Sequence, residues 1–150
     1  MMTTKEFNWK TTDGTNIYAK SWNIETPKGV ICMIHGLGEH INRYTHVAAF
    51  FNKNGYAFYG NDHYGHGKSG GAKGHTPDYE SLLVEVDTLI ETAKSENPNV
   101  PIYLYGHSLG GNIVLNYLFL RHPNVAGVIA TSSAIQLPKP PSAVLLAVGK

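Results

Sequence analysis

Hydrophobic and polar positions change their period several times along this chain. Glu6-Phe7-Asn8-Trp9-Lys10-Thr11 alternates, as a half-buried strand does. Thr12-Asp13-Gly14-Thr15 supplies the residues of a hairpin turn, and Asn16 to Trp22 reads as the returning strand at one edge of a sheet. Val30 to Ile34 is apolar without a break, the pattern of a strand buried on both faces of a parallel sheet. The period then becomes helical over Arg43 to Asn54, with Val47, Phe50 and Phe51 on one face and Gly55 as the stop. Tyr56 to Tyr59 is a short strand, and the six glycines of Gly60 to Gly74 predict a loop.

Thr76 is the predicted cap of the next helix, with Pro77 at its first position and Asp78 and Glu80 in its first turn. Leu82, Val86, Leu89, Ile90 and Ala93 mark its buried stripe, and it fades at Asn97-Pro98. Ile102 to Tyr105 is a further apolar strand. The helical segment behind it, Leu109 to Leu120, is apolar nearly all round, which predicts central burial. Val125 to Thr131 is the last strand in the pattern. Strands alternating with helices imply a mostly parallel sheet flanked by helices.

Between the strand Ile102 to Tyr105 and the helix that follows it lies Gly106-His107-Ser108-Leu109-Gly110. A Gly-x-Ser-x-Gly pattern between a strand and a helix predicts a nucleophile elbow. The serine sits on a strained turn, and neighbouring backbones pass so close that only glycine fits at Gly106 and Gly110. The helix behind it aims its first N–H groups at the place where negative charge develops.

Composition narrows the picture further. The 150 residues carry a formal net charge of +1 with no long charge run, so nucleic acid is not an expected partner. Cys32 is the single cysteine, in an apolar run, and excludes an internal disulfide. Met1 to Lys10 lacks the apolar core of a signal peptide, and no stretch approaches the ~20 apolar residues of a membrane span. The expectation is a soluble, cytoplasmic protein. His35, His40, His63, His66 and His107 all follow strand ends, but their spacings match no zinc signature, so no metal or other cofactor is expected. A substitute triad of His63 or His66 with Asp62 would need its base within ~3 Å of the serine oxygen. Gly65-x-Gly67-x-x-Gly70 opens no helix and is discounted as a dinucleotide loop.

Three motifs stand in order: His35-Gly36-Leu37-Gly38-Glu39-His40, the run Asp62 to Ser69, and Gly106 to Gly111. As a set they closely resemble the monoacylglycerol lipase and lysophospholipase-like group of α/β-hydrolases, over essentially the whole chain. The resemblance implies an α/β-hydrolase-type fold with Ser108 as nucleophile. It implies that the backbone N–H groups of Leu37 and Leu109 form the oxyanion hole, with His35, Gly36, Gly38, Gly106, His107 and Gly110 in supporting positions. It also implies that the Asp62 loop braces the site, that Glu39 and Arg43 lie near the head group of a small lipid or ester substrate, and that no cofactor takes part. For Glu39, balancing the helix that starts near Asn42 is an equal alternative.

One departure dominates. In the resembled group the triad acid and histidine follow the serine, yet no Asp or Glu follows Ser108 here. The one later histidine, His122, lies about 13 helical residues, roughly 20 Å, away. The expected organisation is therefore an N-terminal half-core of about six strands over 1–136, with the start of a cap over 137–150 and the triad acid and histidine outside the chain. The function that the resemblance implies is that of a serine ester hydrolase acting on monoacylglycerols, lysophospholipids or similar small esters. The alternative is a catalytically inert half-domain: a fragment, a split subunit or a pseudoenzyme. Either way Val128, Ile129 and Ala130 would lie on an unpaired edge, a template for another strand. The 150-residue chain should then self-associate, pair with a C-terminal half, or aggregate. Sedimentation checks this, and a sharp monomer with cooperative unfolding would contradict it.

Overall fold

The computed structural model of the protein describes residues 2–135. Its first alternating segment folds as β1 (Thr3–Lys10), antiparallel to β2 (Asn16–Asn23) with Lys10 opposite Asn16. Gly14 closes the turn at φ +82°, where a side chain would be strained. Four more strands follow: β3 (Gly29–Ile34), β4 (Tyr56–Asn61), β5 (Ile102–His107) and β6 (Gly127–Thr131). The sheet order is β1-β2-β4-β3-β5-β6, and β3, β4, β5 and β6 run parallel. The described residues thus hold the six strands that the pattern predicts.

Every residue of β3 is buried, as its unbroken apolar run requires. Val30, Cys32 and Ile34 face helices α2 (Tyr79–Glu96) and α3 (Leu109–Arg121), meeting Leu83, Leu89, Leu104 and Ile113. Ile31 and Met33 face the other side, where α1 (Thr45–Lys53) covers a cluster of Trp22, Ile41, Ala48 and Phe58.

Several elements differ from the pattern. The helix predicted over Arg43 to Asn54 is a 3-10 turn, Ile41–Tyr44, continued by α1, and Phe50 stands outside its buried face, 63% exposed. The cap of α2 is Asp78, not Thr76. Asp78 is extended, and its carboxylate accepts the Ser81 N–H at 2.7 Å. A carboxylate satisfies that N–H and also suits the positive end of the helix, which leaves Pro77 before the cap. Gly60, predicted as loop, belongs to β4, because the Ile41 side chain fills the space its own would need. Nor is α3 buried all round. It packs through Gly110, Gly111, Ile113, Val114 and Tyr117, while Phe119 and Leu120 are 74% and 59% exposed. Among the described residues no helix is long and apolar enough to cross a membrane. The segment 137–150, expected to open a cap, lies outside the described residues.

Candidate active site at the carboxyl ends of the parallel strands

Because β3 to β6 run parallel, their carboxyl ends share one edge of the sheet, the usual ligand position in open α/β sheets. Three sequence motifs meet there. The loop His35 to Glu39 leaves β3, the loop from Asp62 leaves β4, and Ser108 leaves β5.

Ser108 is half-buried at φ 55°, ψ −116°, a region that non-glycine residues avoid. Holding it there costs about 1–3 kcal/mol, so the surroundings must fix it. They do so through the backbone: the Ser108 N–H donates to Thr131 O at 2.9 Å, and Ser108 O accepts from the N–H groups of Asn112 and Ala134. Ser108 occupies the cap position of α3, yet its hydroxyl makes no capping bond. The first N–H groups of the helix, starting with Leu109, have no partner within it.

The glycines are required for the predicted reason. A Cβ on Gly106 would run into the Gly110 carbonyl, and one on Gly110 into the carbonyls of Ile34 and His35. Gly111 is equally constrained by Ser133, which follows β6. A Cβ on Gly36 would lie 3.2 Å from Ser108 Cβ, so the loop after β3 passes directly against the serine.

That loop is closed by Glu39. Its Oε2 accepts the Gly36 N–H at 2.8 Å and the Tyr44 hydroxyl at 2.6 Å, and Arg43 Nε lies 3.4 Å from its Oε1. Burial raises the Glu39 pKa, but these hydrogen bonds and the Arg43 charge outweigh it and hold the carboxyl below its usual value. Gly38 takes φ +71°, and Leu37 stands 66% exposed, its N–H in no backbone hydrogen bond among the described residues. Glu39, Arg43, Tyr44, His46, Tyr105 and His107 line a cleft of about 230 Å³. A larger cleft, about 340 Å³, lies between the β1–β2 hairpin and α2 and includes none of these residues.

Asp62 is fully buried and ties two loops together, accepting the Ile41 N–H at 2.6 Å and the Lys68 N–H at 2.7 Å. Behind the Gly36 loop, the rings of His35 and His63 pack with centroids 4.1 Å apart, tilted by 51°. The backbone N–H of His63 donates to His35 Nε2, so His35 carries its proton on Nδ1, which donates to Gly36 O at 2.8 Å. His63 Nδ1 meets Glu85 at 2.8 Å, and its Nε2 meets His35 O at 3.1 Å. His63 therefore has no ring nitrogen free for Ser108. His66 bonds Tyr64 O through Nδ1 at 2.9 Å and leaves its buried Nε2 without a partner among the described residues. Asp62, however, spends both oxygens on backbone N–H groups and bonds neither histidine, so the Asp–His pair of a substitute triad is not formed. His107 bonds Thr131 Oγ1 at 3.0 Å, and His122 closes the far end of α3. Among the described residues no group of three His, Cys, Asp or Glu side chains is placed to hold a metal.

A family profile described as serine aminopeptidase, S33 (Hydrolase_4) matches residues 25–150. The chain belongs to the Hydrolase_4 family. The monoacylglycerol lipase of Mycolicibacterium smegmatis is 35% identical over 150 residues, 99% of this chain and 53% of that protein. The monoglyceride lipase of Rattus norvegicus is 33% identical, over 91% of this chain and 45% of that protein. A solved structure of a soluble variant of monoglyceride lipase from Saccharomyces cerevisiae, in complex with a substrate analog, aligns with a TM-score of 0.79 and 26% identity, over 91% of this chain and 46% of that one. The fold is that of the α/β-hydrolases. The chain spans about half the length of the curated relatives it matches.

Two residues that brace this family site were not singled out from sequence. Glu85 is 1% exposed, and besides His63 it accepts from Asn61 Nδ2 and the Tyr64 N–H. Its signal was its position, three residues after Leu82 and four before Leu89, on the buried stripe of α2. Tyr44 carried no such signal.

The bracing has a pH signature. Burial above all, then the His63 charge, hold the His35 imidazole well below its ordinary 6.5. The unfolded chain takes up this proton as pH falls through that ordinary value, whereas the fold does not. Stability should be complete above about pH 6.5 and be lost as pH drops toward the lowered folded value, by up to ~1.4 kcal/mol per pH unit. Urea unfolding at about pH 7.5 and about pH 5.5 checks this, and His35→Gln should shrink the difference.

Proposed function

We propose that the protein is a serine ester hydrolase of the monoacylglycerol lipase and lysophospholipase-like kind, with Ser108 as its nucleophile. The backbone of Ser108 carries the reading: a strained positive φ at the mouth of a 13-residue helix, with the hydroxyl free of any capping bond. Ser108 Oγ attacks the ester carbonyl carbon, and its proton passes to a histidine base. The carbonyl oxygen, now negative, is received by the N–H groups of Leu37 and Leu109. The protonated histidine gives that proton to the departing alcohol as the C–O bond breaks. The base, neutral again, takes a proton from the water that attacks the acyl-serine and returns it to Ser108 Oγ as the acid is released.

On this reading the base and its orienting acid come from outside these 150 residues. No acidic residue follows Ser108 in the sequence, and His63, the best-buried candidate within the fold, is already bonded through both ring nitrogens. The same facts favour an inert half-domain for the 150 residues on their own. We place Glu39 and Arg43 near the head group of a small lipid or ester. The names of the relatives favour esters over the amide chemistry of the family's description. No cofactor is required by this chemistry. Self-association or pairing with a C-terminal half belongs to the same reading and is supported by β6, outermost among the described strands, with Ile129 40% exposed. A cytoplasmic setting belongs to it as well.

The test is hydrolysis of a monoacylglycerol and of p-nitrophenyl esters by the full protein. Ser108→Ala should lower kcat/KM by roughly 10³-fold or more. Activity that survives Ser108→Ala, or cleavage of aminoacyl anilides in preference to esters, would contradict the reading.

A further inference from the structure

We infer that Glu39 and Tyr44 are positioning residues, which fix the direction of the Leu37 N–H, and that Glu39 does not act solely on the substrate head group. The inference rests on the ester hydrolase reading. It follows from the planarity of the peptide bond. The Gly36 carbonyl and the Leu37 N–H belong to one peptide unit and point in opposite directions. Whatever holds the Gly36 oxygen therefore aims the Leu37 N–H. Two donors hold that oxygen: the Glu39 N–H at 3.2 Å and His35 Nδ1 at 2.8 Å. The preceding peptide is fixed as well, because the Gly36 N–H donates to Glu39 Oε2 at 2.8 Å. Gly36 and Glu39 thus bind one another reciprocally, and both peptide units that flank Gly36 are immobilised.

Tyr44 completes the device. The residue is 8% exposed and packs with Ile41 and Ala48, and its hydroxyl donates to Glu39 Oε2 at 2.6 Å. The oxygen that holds Gly36 is thereby anchored to the core. Arg43 reaches only the other oxygen, at 3.4 Å, from a side chain 67% exposed, where solvent screens the pair. Oε2 is thus occupied twice, and among the described residues Oε1 carries only the Arg43 contact. The Cβ that Gly36 lacks would lie 3.0 Å from Glu39 Oε2 and 3.2 Å from Ser108 Cβ, so the clamp sits directly against the serine.

A positioning role and a head-group role differ in what they do to kinetics. An oxyanion donor acts on the transition state of every ester, whereas a head-group contact acts on binding of glycerol esters alone. Losing one oxyanion donor outright costs roughly 10²–10³ in kcat, and misaiming it costs less. The experiment compares Glu39→Gln and Tyr44→Phe in the full protein on a monoacylglycerol and on p-nitrophenyl butyrate, which has no glycerol. We expect kcat to fall about 10–100-fold for Glu39→Gln and several-fold for Tyr44→Phe on both esters, with KM little changed. A rise in KM confined to the monoacylglycerol, or an unchanged kcat in both variants, would overturn the inference. If Glu39→Gln fails to fold, Tyr44→Phe, which removes a single hydroxyl, decides the matter. Ser108→Ala separates the two levels. If Ser108→Ala is inactive while both loop variants keep full kcat, only the positioning inference falls. If Ser108→Ala stays active, the ester hydrolase reading falls and takes the inference with it.

Discussion

The structure depends on one close passage of backbone past backbone. The turn that leaves β5 runs so near the end of β3 that Gly110 has the carbonyls of Ile34 and His35 where a side chain would be. That contact sets the entry angle of α3, forces Ser108 into its positive φ, and brings the loop after β3 against the serine. Neither strand end has room to relax, because β3 is buried along its whole length and paired on both sides. A strained residue persists only where its neighbours over-determine it. Here those neighbours are the central strand and the first turn of a helix.

Polar groups behind the loop complete the bracing. Burying a carboxylate and several imidazoles is costly unless each finds partners. Glu85 meets that condition with three donors, from His63, Asn61 and the Tyr64 backbone. His63 in turn holds His35, and His35 holds the Gly36 oxygen. A chain of hydrogen bonds therefore runs from α2, through the sheet edge, to the loop beside Ser108. Such a network is rigid when every member is satisfied, and on the proposed reading that rigidity would let the site receive charge without reorganising.

Much of this was legible in the sequence because the signals were local. The unbroken run Val30 to Ile34 became a strand buried on both faces, and the spacing of Gly106, Ser108 and Gly110 became the strained turn. The failures came where tertiary contact overrode a local preference. Gly60 reads as loop punctuation but is a strand residue, left without a side chain to admit Ile41. Thr76 is an adequate cap, yet Asp78 outcompetes it two residues later. Phe119 and Leu120 read as core, but the described fold places nothing over them. Glu85 was not picked out from the sequence, although its register sets it on the buried stripe. The partnership of Glu39 with Gly36 and Tyr44 was not visible at all, because a carboxylate at the mouth of a helix reads equally well as substrate contact or helix balance.

The central claim is that this architecture exists to present Ser108 as an activated nucleophile. The most direct measurement is covalent: treat the full protein with a fluorophosphonate, digest it, and map the adduct by mass spectrometry. The account predicts one adduct per chain, on the peptide that contains Ser108, and none in Ser108→Ala. An adduct on another residue, or undiminished labelling of Ser108→Ala, would contradict it.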